Sequence, residues 1–132
     1  MPPTRRSRIL RGAPYFLVPD VAAAGAYYRD VCGFECEYAA GEPPEFAICK
    51  RDGAQIMFRR AFDPGLICPN EKQGGTWDVF CWVDALDPLF EELTAHGASI
   101  AYPPVVQPYG IREFAVRDPN GYVLGFGEEL TR

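Results

Sequence analysis

Histidine is almost missing from this chain: His96 is the only one in 132 residues. That scarcity removes most zinc sites and most imidazole-assisted nucleophiles. No apolar run approaches the roughly 18 residues a membrane-spanning helix needs, so no segment reads as crossing a bilayer. Positive charge is also scarce: 13 Lys and Arg stand against 18 Asp and Glu, a net charge of −5. Phosphate backbones seek basic surface, so nucleic acid is not an expected partner. None of the motifs GxSxG, GxxxxGK(S/T), HExxH or GxGxxG occurs. The opening Met1-Pro-Pro-Thr-Arg-Arg-Ser-Arg8 has basic residues but no apolar stretch behind them. Residues 1–7 therefore read as a flexible tail and not as a secretory signal.

Cysteine is present, but not in metal-binding spacing. Cys32, Cys36, Cys49, Cys68 and Cys81 form no CxxC pair, and with only His96 to assist them structural zinc is not expected. An odd count without a signal predicts reduced thiols in a cytoplasmic protein, mostly small buried hydrophobes, with Cys68 the most exposed.

What the chain does have is 48% apolar residues, 14% aromatics, and 13 each of Gly and Pro. A chain of this length buries roughly two thirds of its unfolded surface, enough for one domain with its own core. The many turn residues predict more strands than helices.

One order of elements occurs twice. Ala13 to Val18 reads as a strand. Val21 to Cys32 follows as an amphipathic helix, with Asp20 as its cap and Gly33 as its stop. Three strands come next, Phe34 to Ala39, Glu45 to Arg51 and Ala54 to Arg60, the last two joined by the hairpin signal Asp52-Gly53. Residues 61–75 read as a connector. Trp77 to Val83 is again a strand, and Leu86 to His96 again a helix, with Asp87 as N-cap, Pro88 at the first helical position and Gly97 as stop. Ser99 to Tyr102, Arg112 to Arg117 and Tyr122 to Gly127 complete the set. Val18 and Val21 precede Val83 and Leu86 by 65 residues, and Gly33 precedes Gly97 by 64. The expectation is an α+β domain over residues 8–128, made of two βαβββ modules at about 8–60 and 76–128.

Side chains alternate across a strand, so Asp78, Phe80 and Trp82 share one face and Val79, Cys81 and Val83 the other. The aliphatic set suits the helix. The mixed set is expected to line a cavity between curved sheets, the natural place for a ligand.

The pattern Val18-Pro-Asp-Val21, Ala24, Tyr27-Tyr28, Gly33-Phe34 resembles V-x-D-x-x-x-A-x-x-F-Y-x-x-x-x-G-F. The segments Pro108-Tyr-Gly-Ile-Arg-Glu-Phe114 and Arg117-Asp-Pro-Asn-Gly121 resemble P-W-G-x-R-E-F and the D-P-x-G-N that follows it. With the paired modules, these resemble the vicinal oxygen chelate superfamily of glyoxalases, extradiol dioxygenases and fosfomycin- and bleomycin-resistance proteins. The bleomycin-resistance-like branch is the nearest. The resemblance implies a homodimer, a small-molecule partner and, in the superfamily's enzymes, a divalent metal held by one side chain from each module's first and last strands. Counting back from the strand-closing valines and on from the turn glycines places those positions at Ala13, Asp78, Met57 and Gly125. Only Asp78 offers a hard donor, and one carboxylate cannot hold a catalytic metal. No cofactor is expected.

The ligand-contacting candidates are Asp78, Phe80, Trp82, Tyr109, Arg59, Met57 and Tyr15. Asp78 either anchors a cationic or hydroxyl group of the ligand or bonds a neighbouring strand or Arg59. Tyr109 stands where the branch has a ligand-stacking tryptophan, or else covers a sheet edge. Arg59 points inward with Met57 or ends its strand in solvent. His96 reads as a helix C-terminal residue, and Glu91-Glu92 as a solvated helix face. The function these residues imply is metal-free binding of an aromatic or amphipathic molecule, with the negative net charge favouring a cationic one. The alternative is a metal-dependent lyase, isomerase or dioxygenase whose donors this register misplaces.

Overall fold

Asp20 starts the first helix as its chemistry predicts, its side chain accepting the Ala23 amide at 3.0 Å. The computed structural model describes residues 4–130. Module 1 runs β1 (Tyr15–Val18), α1 (Val21–Asp30), β2 (Glu35–Ala39), β3 (Phe46–Arg51) and β4 (Ala54–Arg60). Module 2 repeats the order with β5 (Val79–Trp82), α2 (Leu86–Ala95), β6 (Ser99–Val106), β7 (Ile111–Arg117) and β8 (Val123–Glu129). The sheets are ordered β1-β4-β3-β2 and β5-β8-β7-β6, each with one parallel pair, β1 with β4 and β5 with β8. This is the expected pair of βαβββ modules. Residues 1–3 of the expected tail lie outside the described residues; residues 4–14 have no regular secondary structure, and Ile9 and Leu10 are exposed. Among the described residues no helix is long and apolar enough to cross a membrane.

The two modules meet through their helix-covered faces. Val18, Val21, Tyr28 and Phe58 of module 1 share one core with Leu86, Leu93, Phe114 and Leu124 of module 2. Burying each such side chain contributes roughly 1.5–3 kcal/mol. Phe16 stacks on Tyr122, ring centroids 4.1 Å apart, and the Tyr122 hydroxyl donates to the Leu17 carbonyl at 2.6 Å. The buried Asp118 carboxylate accepts the amides of Asn120 and Tyr122 within its own turn and the Tyr28 hydroxyl of α1 at 2.7 Å. Burial raises the Asp118 carboxyl above its usual range, against these donors, which lower it.

Several expectations change here. Helix α2 is capped at Ala85, not Asp87, and no side chain of its own bonds its first amides. Glu128, adjacent through β8, accepts the Leu86 amide at 2.8 Å instead, while Asp87 pairs with Arg112. Pro88 consequently lies inside the first turn, where its missing N–H still costs nothing. Strand β6 runs on through Pro103-Pro104, tolerable because it is an edge strand whose register slips there. Glu92 is not a plain solvated residue: its carboxylate bridges Arg51 of module 1 at 2.8 and 2.9 Å. That Arg51 also caps α1 by bonding the Cys32 carbonyl, and Gly33, at φ +76°, makes room for it. Lastly, the cysteines are not all reduced. Cys36 and Cys49 form a disulfide, because the β2–β3 register sets them directly opposite one another. Cys32, Cys68 and Cys81 are free. Burial pushes the Cys32 thiol up to about 12 and also raises Cys81, so both are poor nucleophiles.

Candidate functional site on the open face of the second sheet

Strand β5 alternates as its sequence predicts. Val79, Cys81 and Val83 pack on the shared core, and Phe80 and Trp82 point to the opposite side. Cross-strand register extends that side into two rows. Trp82, Gly127, Glu113 and Val105 form one, and Phe80, Gly125, Ala115 and Tyr102 the other.

The glycines let the aromatic rings lie close on the sheet. A methyl group at position 125 would stand 2.5 Å from the Trp77 indole, and one at 127 would stand 2.6 Å from the Phe80 ring. Trp77, Phe80 and Trp82 thus form a contiguous series, with centroids 4.6 and 5.0 Å apart. Trp82 is 68% exposed. At its other end the series becomes polar. The Trp77 indole donates to the Tyr102 hydroxyl at 2.8 Å, and Tyr102 donates to Glu113 Oε2 at 2.5 Å. Tyr109 donates to Glu113 Oε1 at 2.6 Å while 59% exposed. Partial burial and the bond to Glu113 push the Tyr109 phenol up to about 12, so it stays protonated at neutral pH.

The expected site residues therefore separate into groups. Phe80, Trp82 and Tyr109 lie on this one face. Tyr15, Met57 and Arg59 lie together on the open face of the first sheet, where Tyr15 opposes Met57 and Leu17 opposes Arg59. Both oxygens of Asp78 are taken up, by the Asn70 amide at 2.9 Å and the Val123 amide at 2.8 Å; it ties the connector to β8 and does not meet Arg59. The modules also flank a crevice of about 600 Å³ along the β5 edge, which Phe80 and Trp82 reach but the other five candidates do not. Trp77, Tyr102 and Glu113 were not anticipated as site residues. A lone Glu in the apolar run of β7, on the side opposite Phe114 and Val116, was the available signal.

The register also sets Tyr15 and Phe80 directly opposite two of the expected metal positions. Met57 opposes Tyr15, and Gly125 opposes Phe80, so the four equivalent open-face positions are Tyr15, Met57, Phe80 and Gly125. Ala13 precedes β1, and Asp78 precedes β5. A phenol, a thioether, a phenyl ring and a hydrogen atom are no ligand set for Mg²⁺, Zn²⁺ or Fe²⁺. Among the described residues, no three His, Cys, Asp or Glu side chains converge elsewhere. The metal that the superfamily's enzymes hold does not fit these residues.

Comparison with known proteins agrees with the architecture. No curated protein sequence matches the chain significantly. Among solved structures, TioX from Micromonospora sp. ML1 is 28% identical with a TM-score of 0.72, over 91% of this chain and 98% of that one. The bleomycin-binding protein of bleomycin-producing Streptomyces verticillus, solved with copper(II)-bleomycin, is 25% identical with a TM-score of 0.65, over 96% of this chain and 100% of that one. A glyoxalase-related enzyme from Clostridium phytofermentans shares the fold at 14% identity and a TM-score of 0.75, over 96% and 99%. The family model matches residues 12–126, and with two βαβββ modules in this order the chain belongs to the Glyoxalase/Bleomycin resistance protein/Dioxygenase superfamily.

Proposed function

We propose that this chain binds a small aromatic or amphipathic molecule, without a metal and without transforming it. The observation that carries the reading is the exposed Trp82 indole at the end of a series whose Trp77 and Phe80 rings lie against two glycines. An indole left in water on a rigid sheet face offers a stacking surface at low entropic cost. The absence of a fitting donor set at Tyr15, Met57, Phe80 and Gly125 supports binding over metal-dependent catalysis. The Streptomyces verticillus relative, solved with copper(II)-bleomycin, supports the binding of a small molecule. Exposed Tyr15, Leu17 and Trp82 leave both sheets with apolar open faces. We extend the reading to a homodimer, in which a second copy covers these faces and completes the pocket.

Native mass spectrometry of freshly purified protein tests this. A co-purified organic molecule that is lost in Trp82→Ala is the expected result. About one equivalent of Zn, Ni, Fe or Mn by elemental analysis would overturn the metal-free reading.

A further inference from the structure

Glu113 is fully buried, yet among the described residues every donor that reaches it is neutral: the Tyr102 and Tyr109 hydroxyls, and Gln107 Nε2 at 3.4 Å. The nearby cations are engaged elsewhere, Arg112 with Asp87 and Arg117 with Glu71. Among the described residues no ion pair includes Glu113. A buried carboxylate with no counter-charge is costly, and hydroxyl donors offset only part of that cost.

The hydrogen-bond chain has one open end. The Tyr102 oxygen already accepts the Trp77 indole N–H, whereas among the described residues no donor reaches the Tyr109 oxygen. A hydroxyl that donates to a carboxylate becomes a stronger acceptor, because each bond in such a chain polarises the next. The negative charge of Glu113 is thus presented at Tyr109, on the ligand-facing surface.

We propose that Glu113, acting through the Tyr109 hydroxyl, makes this face select cations: the bound molecule is a planar aromatic with a protonated nitrogen whose N–H donates to Tyr109 Oη. This rests on the stacking role proposed above for Trp82 and Phe80. Glu113 and Trp82 are two strands apart in one row, roughly 10 Å at the usual strand spacing. A fused-ring molecule spans that distance, with its rings on Trp82 and its nitrogen at Tyr109. The electron-rich faces of Trp82 and Phe80 favour the same charge.

The test uses three molecules of one shape. Both tryptophans of the chain, Trp77 and Trp82, belong to this aromatic series, so their fluorescence reports its occupancy. The protein is titrated at pH 8 with 9-aminoacridine, a cation, with neutral acridine, and with acridine-9-carboxylate, an anion. The cation is expected to bind about tenfold or more tighter than acridine, the scale of a charge-assisted hydrogen bond, and the anion most weakly. In folded Glu113→Gln the three affinities should fall within about threefold of one another as that charge-assisted contribution is lost. If Glu113→Gln does not fold, the order measured on the unmodified protein decides. Binding without a charge order, or an order that persists in folded Glu113→Gln, would overturn the cation assignment and leave the stacking reading standing. Failure of all three acridines to bind would overturn both.

Discussion

Two buried carboxylates sit in different settings, and the contrast separates assembly from recognition. Asp118, in the seam between modules, is held by two amides of its own turn and by Tyr28 of α1. Its partners are backbone and a fully buried ring, so the arrangement is fixed once the modules dock. Glu113, on the open face of the second sheet, is held by side-chain donors, one of them the exposed Tyr109. The seam uses its buried charge to join elements far apart in sequence; the open face keeps its charge beneath a surface that other molecules can touch. Stability should follow the first region and binding the second.

The largest effect is expected in the seam. Asp118→Ala leaves the Tyr28 hydroxyl and two amides without their acceptor, and should lower unfolding free energy by about 3 kcal/mol in a urea titration. A loss below about 1 kcal/mol would mean that the seam is not held by this residue. Gly125→Ala on the open face comes next. The added methyl displaces Trp77 or Phe80, for a cost of about 1–3 kcal/mol by thermal unfolding. A variant as stable as the parent would show that the rings do not lie on the glycine.

Trp82→Ala inverts the pattern. Its indole is mostly exposed, so stability should stay within about 0.5 kcal/mol, while affinity for 9-aminoacridine should fall by roughly tenfold, the scale of a lost aromatic contact. Equal affinities would place the ligand elsewhere.

The smallest effect concerns pH. The hydrogen bonds from Arg51, more than the accompanying charge attraction, hold the Glu92 carboxyl below its ordinary 4.5. A depressed folded-state value contributes stability that is fully present above the unfolded value and is lost as pH falls through the folded one. Unmodified protein should therefore exceed Glu92→Gln by no more than about 1 kcal/mol at pH 6, because the pair is partly solvated. The difference should shrink as pH falls below 4.5 and through the lower folded-state value. A difference that grows on acidification would contradict the assignment.

How much of this was legible in the sequence follows the range of each interaction. Asp20, Gly33, Asp52-Gly53 and Gly97 act on their own neighbours, so the order of elements and the 64–65 residue repeat could be read directly. The phase of β5, with Phe80 and Trp82 away from the core, followed from alternation alone. Register between strands could not be read. It decides that Cys36 opposes Cys49, that Gly125 faces Phe80, and that Asp78 serves two backbone amides. The pairing of Arg51 with Glu92, 41 residues apart, and the capping of α2 by Glu128 require the modules to be docked. Glu113 was hidden for the same reason: its burial exists only once Tyr102 and Tyr109 fold over β7.

The central claim is that the open face of the second sheet is where small molecules bind, and its two indoles give a direct reading. In a ¹⁵N–¹H correlation spectrum, the indole N–H signals of Trp77 and Trp82 can be followed as 9-aminoacridine is added. Both should shift and saturate together, along with the amides of Gly125 and Gly127, while those of Gly12, Ala54 and Leu89 at the crevice stay in place. Shifts confined to the crevice and Trp82, with the Trp77 indole and the Gly125 and Gly127 amides unmoved, would contradict the account.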